Sequence, residues 1–216
     1  MKLMIVNSGV GNVRSVANML KRLRVEAEIS DDPAALAGAE AVILPGVGSY
    51  DAAMRRMHES GLKDVLDGLA ADGRTPILGI CLGMQLLADG SEEGDEPGFG
   101  WIPGYFQRLK PEDGGAQRLR VPHMGWNLIK PVGDHVLYEG VEGTPRFYFD
   151  HSYHFVPQEP ADICGVARYG LDLVASVRRG PIFGVQFHPE KSHRFGLAMF
   201  ENFVSFARAA VMSEAS

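Results

Sequence analysis

Cysteine is scarce. Cys81 and Cys164 are the only two in 216 residues, which excludes a disulfide framework and suits a reducing compartment. Excess positive charge is missing as well. Lys and Arg total 21 against 27 Asp and Glu, a net charge of −6, so a surface dedicated to nucleic acid is not expected. The N-terminal MKLMIVNSGVGN has an apolar run too short for a signal-peptide core. No apolar stretch is expected to span a bilayer, which takes ~20 residues, and the expectation is a cytoplasmic protein without a membrane. There is no Walker sequence and no Cys/His spacing of a zinc site, so no metal and no cofactor are expected. Repeats and low-complexity segments are absent too. Hydrophobic content of 45% and charged content of 22% fit a soluble globular chain able to bury a substantial core.

What is present alternates. LMIV (3–6) reads as a buried strand, followed by turn glycines at Gly9 and Gly11. VRSVANMLKRL then repeats apolar residues at helical spacing, with Asn12 as its expected cap. VEAEIS is a second strand, and DDPAALAG opens a helix with Asp32 at the cap and Pro33 after it. AVILP (41–45) is a third strand, SYDAAMRRMHESGLKDVLDGLAADG one long or two short helices, and TPILGI a fourth strand. Such alternation predicts βαβ units around a parallel sheet. Beyond residue 100, YFQRLK, RLRVPHMGWNLIK, RFYFDHSYHFV, ICGVARYG, LDLVASVRR and PIFGVQFHP read as closely spaced strands added antiparallel to that sheet. FGLAMFENFVSFARAA closes the chain as an amphipathic helix. No composition break marks a linker, so one domain over 1–216 is expected.

At GICLG (79–83) a cysteine stands between two glycines, where a strand gives way to a helix. The pattern Gly-x-nucleophile-x-Gly in that context is a nucleophile elbow. The turn strains the backbone at Cys81 and leaves no room for side chains at Gly79 and Gly83. The thiol would lie at a helix N-terminus, and the Leu82 amide would face the attacked group as an oxyanion donor. A buried cysteine beside helix-packing glycines is the plain alternative.

A thiol nucleophile needs a base and a group to orient it. Among seven histidines, His188 in QFHPE has an acid at strand spacing, Glu190, about 6–7 Å along an extended segment. PGVG (45–48) ends a strand with glycines tolerant of positive φ, and could aim an amide at an oxyanion or be a mere turn. GVGN (9–12) lacks the third glycine of a dinucleotide fingerprint, since Arg14 occupies its place. His123, His151 and His154 lie in aromatic, strand-like segments and read as structural or interface residues. Cys164 reads as a structural thiol.

PGVG, GICLGMQ and HPEKS, in this order, resemble the class I (triad) glutamine amidotransferases over nearly the whole chain. GNVRSV, VPHMGWN (121–127) and YFDHSYHF (148–155) are similar to the glutaminase subunits of imidazole glycerol phosphate synthases. The resemblance implies a single-domain α/β, flavodoxin-like fold with a mainly parallel central sheet, flanking helices and added antiparallel strands. It implies that Cys81 attacks the side-chain amide of L-glutamine, with His188 as base and then acid and Glu190 orienting it. Leu82 with Val47 or Gly48 would hold the oxyanion. Gly48, Gln85, Glu93, Ser152 and Tyr153 would bind glutamine, Glu92 being the adjacent alternative to Glu93.

Ammonia would pass to a (β/α)₈-barrel cyclase subunit that forms imidazole glycerol phosphate and AICAR in histidine biosynthesis. Asn12, Trp126, Tyr148 and Lys191 would line the heterodimer interface, although Trp126 suits core packing equally. The family usually reads Asp-Tyr-Gly after the first strand, whereas this chain reads Asn7-Ser8-Gly9. That departure leaves open a paralogue serving another synthase, for instance one amidating a cell-surface sugar. A stand-alone γ-glutamyl hydrolase and a non-catalytic binding subunit are the remaining alternatives.

Overall fold

The structure is a computed structural model that describes residues 1–9, 11–111, 119–133 and 136–214. Val10 of GVGN and Arg118, which opens RLRVPHMGWNLIK, lie outside the described residues. The first half runs β1 (Leu3–Val6), α1 (Val13–Arg22), β2 (Glu28–Ser30), α2 (Pro33–Leu36), β3 (Ala41–Gly46), α3 (Tyr50–Glu59), α4 (Leu62–Ala71), β4 (Ile77–Cys81) and α5 (Leu82–Leu86). The second half adds β5 (Gly90–Ser91), β6 (Gly104–Arg108), β7 (His123–Leu128), β8 (Lys130–Pro131), β9 (Arg146–His151) and β10 (Tyr153–Pro157). It ends with β11 (Ile163–Tyr169), β12 (Leu171–Arg179), β13 (Ile182–Val185) and α6 (His193–Glu214).

The main sheet has the order β2-β1-β3-β4-β13-β12-β10-β6-β5, with β11 pairing β12 and β8 pairing β11. Strands β1 to β4 and β13 pair in parallel, and β12, β10 and β6 extend the sheet antiparallel. This is the expected α/β class. Alternate side chains of the buried strands face opposite layers. Ile5, Ile43, Leu78 and Val185 pack with Val16 and Leu20 of α1 and with Met199, Phe200 and Phe203 of α6. Met4, Val42, Leu44 and Ile77 pack with Met54, Leu62 and Leu66 on the other side.

Local expectations change or narrow, and PIFGVQFHP, expected antiparallel, forms β13, which pairs in parallel with β4. Asn12 occupies the cap position of α1, but its side chain makes no capping bond; Asp32 does cap α2, accepting from the Ala34 N–H at 2.9 Å. Of the two readings offered for the long helical stretch, two helices is the one found, because Gly61 adopts φ +73 between them. RFYFDHSYHFV is two strands split at Ser152, and the first of them, β9, pairs with β7 in a separate two-stranded ribbon rather than joining the main sheet. Finally, α6 is long and apolar enough, by length and composition, to cross a membrane. It buries Met199, Phe200, Phe203 and Val204 in the core, as a core helix of a globular chain does.

Candidate active site

The elbow is built by collision. Cys81 ends β4 and adopts φ +55 and ψ −110, a strained conformation for a residue with a Cβ. A Cβ on Gly83 would stand 1.8 Å from the Leu44 carbonyl oxygen, and one on Gly79 would stand 2.6 Å from the Gly83 oxygen. Only glycine fits on either side of the cysteine. Helix α5 spans just Leu82–Leu86, shorter than the sequence suggested, so its dipole is small. The polar groups around the sulfur matter more. The Cys81 thiol donates to the Asp150 carbonyl at 3.9 Å, and the Gln186 Nε2 donates to the sulfur at 3.8 Å.

His188 arrives on the continuation of β13. Its N–H donates to the Tyr148 carbonyl at 2.8 Å, while Ser192 Oγ donates to the His188 carbonyl at 2.6 Å and accepts from the Tyr148 N–H at 3.0 Å. The imidazole is therefore clamped by its own backbone. Its Nδ1 donates to Glu190 Oε1 at 2.9 Å, and both side chains are buried. The i, i+2 contact does not come from an extended strand as expected. Pro189 starts a 3₁₀ turn over 189–191, and the turn carries Glu190 back under the ring. Burial opposes a charged His188, but its hydrogen bonds and charge interactions with Cys81 and Glu190 outweigh that and raise it to about 10.

Around these groups lies a cleft of about 310 Å³. Val47, Gly48, Leu82, Gln85, Glu93, Ser152, Tyr153 and Lys191 line it together with Cys81 and His188. Gly48 holds φ +99, and a Cβ on Gly46 would stand 2.8 Å from the Gly83 nitrogen, so PGVG lies directly on the elbow. Glu93 is half-buried and receives the Tyr50 N–H at 3.4 Å; burial raises its carboxyl, helped by Asp51, against that bond. Glu92 is exposed and turned away, receiving the Arg108 N–H at 2.7 Å. The structure thus separates two adjacent acids that the sequence left as alternatives.

Trp126, Tyr148 and Lys191 gather on one surface beside the cleft. Lys191 Nζ sits 5.4 Å from the Tyr148 ring centroid, and Trp126 meets Tyr148 edge-on at 6.1 Å. Trp126 is exposed and not a core residue. Asn12 is exposed outside the cleft, next to Gly11, where a Cβ would stand 2.9 Å from the Pro45 oxygen. Asn7-Ser8-Gly9 is held nearby: Asn7 Oδ1 receives the Gly9 N–H, and Arg56 donates to the Ser8 carbonyl. Cys164 is buried, its thiol donating to the Asp162 carbonyl at 3.7 Å.

Pro122, Asp150 and His151 also line the cleft, and Gln186 meets the Cys81 sulfur; none of these was picked out from the sequence as a site residue. Gln186 stands two residues before His188, a strand spacing that puts both on one face; that signal was available. His151 lines the cleft and continues into a buried chain. Leu128 N–H donates to Asn127 Oδ1, which leaves Asn127 Nδ2 to donate to His123 Nε2 at 3.3 Å. His123 Nδ1 then donates to His151 Nε2 at 2.9 Å, and His151 Nδ1 to the Tyr153 carbonyl at 2.8 Å. Each ring accepts at one nitrogen, so both are neutral. Burial lowers His123 to about 4 and His151 to about 3.

A clamped thiol–imidazole–carboxylate set beside an acid-lined cleft can attack an amide and hold a substrate's ammonium group. Among known proteins, the family model "Glutamine amidotransferase class-I" matches residues 4–206. The chain is 46% identical to the imidazole glycerol phosphate synthase subunit HisH 2 of Pseudomonas aeruginosa, over 94% of this chain and 98% of that one. It is 45% identical to the subunit HisH of Bdellovibrio bacteriovorus, over 92% and 97%. A solved glutamine amidotransferase superposes with a TM-score of 0.73 at 23% identity, covering 95% of this chain and 98% of its own. The chain belongs to the class I glutamine amidotransferases.

Proposed function

We propose that this chain, as one amidotransferase domain, is the glutaminase subunit of an imidazole glycerol phosphate synthase in the cytoplasm. It would release ammonia from L-glutamine and pass it to a (β/α)₈-barrel partner that closes the imidazole ring in histidine biosynthesis. The single observation that carries the chemistry is the buried His188–Glu190 pair set against Cys81 on a strained elbow. The identity to synthase subunits over nearly the full chain supports the partner.

The steps follow from the groups. Cys81 gives its proton to His188, whose charge Glu190 stabilises, and the sulfur bonds to the glutamine amide carbon. The carbonyl electrons move to oxygen, held by the amide of Leu82 and one from Val47 or Gly48. As the carbonyl re-forms, the C–N bond breaks and nitrogen takes the proton from His188, leaving as ammonia. Water then loses a proton to His188 and adds to the thioester; the C–S bond breaks, His188 returns the proton to the sulfur, and glutamate leaves. Glu93 would pair with the substrate ammonium, which supplies the counter-charge its burial lacks. Gln85 is on hand for the substrate carboxylate, and Ser152 and Tyr153 close the pocket. Ammonia in water at neutral pH is mostly ammonium and not nucleophilic, so delivery through the surface of Trp126, Tyr148 and Lys191 has a chemical purpose.

The test is glutamate release by the purified chain, alone and with the barrel synthase of the same cell and that synthase's substrate. A strong rise on adding both is the expected result. No rise, with Cys81 still labelled by a glutamine-like electrophile, would leave the chemistry standing and move the partner to another synthase. The observation favouring that second reading is Asn7-Ser8, which lies beside PGVG.

A further inference from the structure

We propose that Gln186 is a working member of the catalytic group, its side-chain N–H holding the Cys81 sulfur and its carbonyl tying that sulfur to Gln85. This rests on Cys81 being the glutamine nucleophile. Gln186 is 1% exposed. It follows β13, one step beyond the paired residues Val185 and Ile80, so parallel register brings it level with Cys81. Phe187 turns the other way, stacking on Phe147 at 4.0 Å, and His188 returns to the face of Gln186.

The resulting chain has a direction. Gln85 Nε2 donates to Gln186 Oε1 at 3.4 Å, and Gln186 Nε2 donates to Cys81 Sγ at 3.8 Å. The Asp150 carbonyl already faces the sulfur at 3.9 Å. It suits the thiol, which can donate to it, and opposes the thiolate left once His188 takes the proton. An N–H from Gln186 suits the thiolate, so the donor strengthens as charge appears. With a carbonyl from Gln186 instead, the charged sulfur would face two oxygens. Through Gln85 the same amide also keeps a cleft-lining side chain in register with the nucleophile, which links substrate seating to sulfur position.

Three quantities test this in the full chain with its synthase: the iodoacetamide alkylation rate of Cys81, kcat and KM for glutamine. Gln186→Glu keeps an acceptor for Gln85 but sets a carboxylate against the sulfur. Alkylation and kcat are expected to fall about 10- to 100-fold, with KM within about 3-fold. Gln186→Met keeps the length and removes both hydrogen bonds; kcat is expected to fall about 10-fold and KM to rise several-fold. Each rate is divided by the fraction of folded sites, titrated with a glutamine-like electrophile. If both variants alkylate and turn over within 2-fold of the parent per folded site, Gln186 only packs, and the proposal fails. An unaffected Gln186→Glu alone would also overturn it, since the carbonyl would then be what faces the sulfur. If the parent chain releases no glutamate, or Cys81→Ala still does, the nucleophile assignment itself has failed.

Discussion

The elbow of β4 and α5 and the ribbon of β7 and β9 both border the same cleft, yet they hold their functional residues by different means. The elbow is a steric object. Gly79, Gly83 and Gly46 lie so close to neighbouring backbone that a single added carbon collides. The ribbon is a hydrogen-bonded and aromatic object. His123 stacks against Phe149 and Tyr169 at 4.7 and 4.1 Å and passes a polar chain inward to His151 and Tyr153. Its outer face exposes Met124, Trp126 and Leu128. The elbow aims one atom, whereas the ribbon joins a surface to a pocket. Rigidity comes from repulsion in the first and from satisfied buried polar groups in the second.

Chemistry should break first at the elbow. Cys81→Ala is expected to lower glutamine hydrolysis by at least about 10³-fold while ammonia-dependent synthesis by the partner continues, as separate assays with glutamine and ammonium salts would show. Glu190→Gln keeps the shape but loses the charge facing His188 Nδ1, and a fall in kcat of about 10²-fold or more is expected from steady-state kinetics.

Stability separates the two regions next. Gly83→Ala meets the Leu44 carbonyl and should destabilise by more than about 3 kcal/mol in a denaturant titration. Gly125→Ala in the ribbon has φ +131 but nothing within 4 Å of its Cβ, so only backbone strain applies, about 1–2 kcal/mol. Equal losses at the two glycines would dissolve the distinction.

Acid should find the ribbon. His123 and His151 are lowered from 6.5 to about 4 and about 3, so below pH 6.5 the unfolded chain binds protons that the folded chain refuses. Their neutral burial is fully tolerated above about pH 6.5. Stability then falls as pH drops through 6.5 toward 4, by about 3 kcal/mol for each histidine. His123→Gln should flatten that limb in melts run from pH 7 to pH 4. The smallest effect is expected from Trp126→Ala: basal hydrolysis within about 2-fold, and about 10-fold weaker binding of the barrel synthase by titration.

The difference between the regions also explains what could be read in advance. GICLG was legible because the strain, the glycines and the strand-to-helix change all fall within a few residues. His188 with Glu190 was legible as a pair, though a 3₁₀ turn joins them and not an extended strand, because Pro189 favours the turn. The break at Ser152 was not legible: YFDHSYHF alternates like one strand, and only pairing partners decide that β9 faces β7 while β10 faces β6 and β12.

By itself the sequence determined the buried parallel strands, the elbow and the family to which the chain belongs, since periodicity, turn sterics and motif order are local properties of a chain. The tertiary structure decided that Glu93 and not Glu92 faces the cleft, that His123 and His151 are neutral links, and that Gln186 meets a sulfur 105 residues away. Those outcomes depend on which distant groups desolvate each other when the sheet closes, and no short-range rule carries that information.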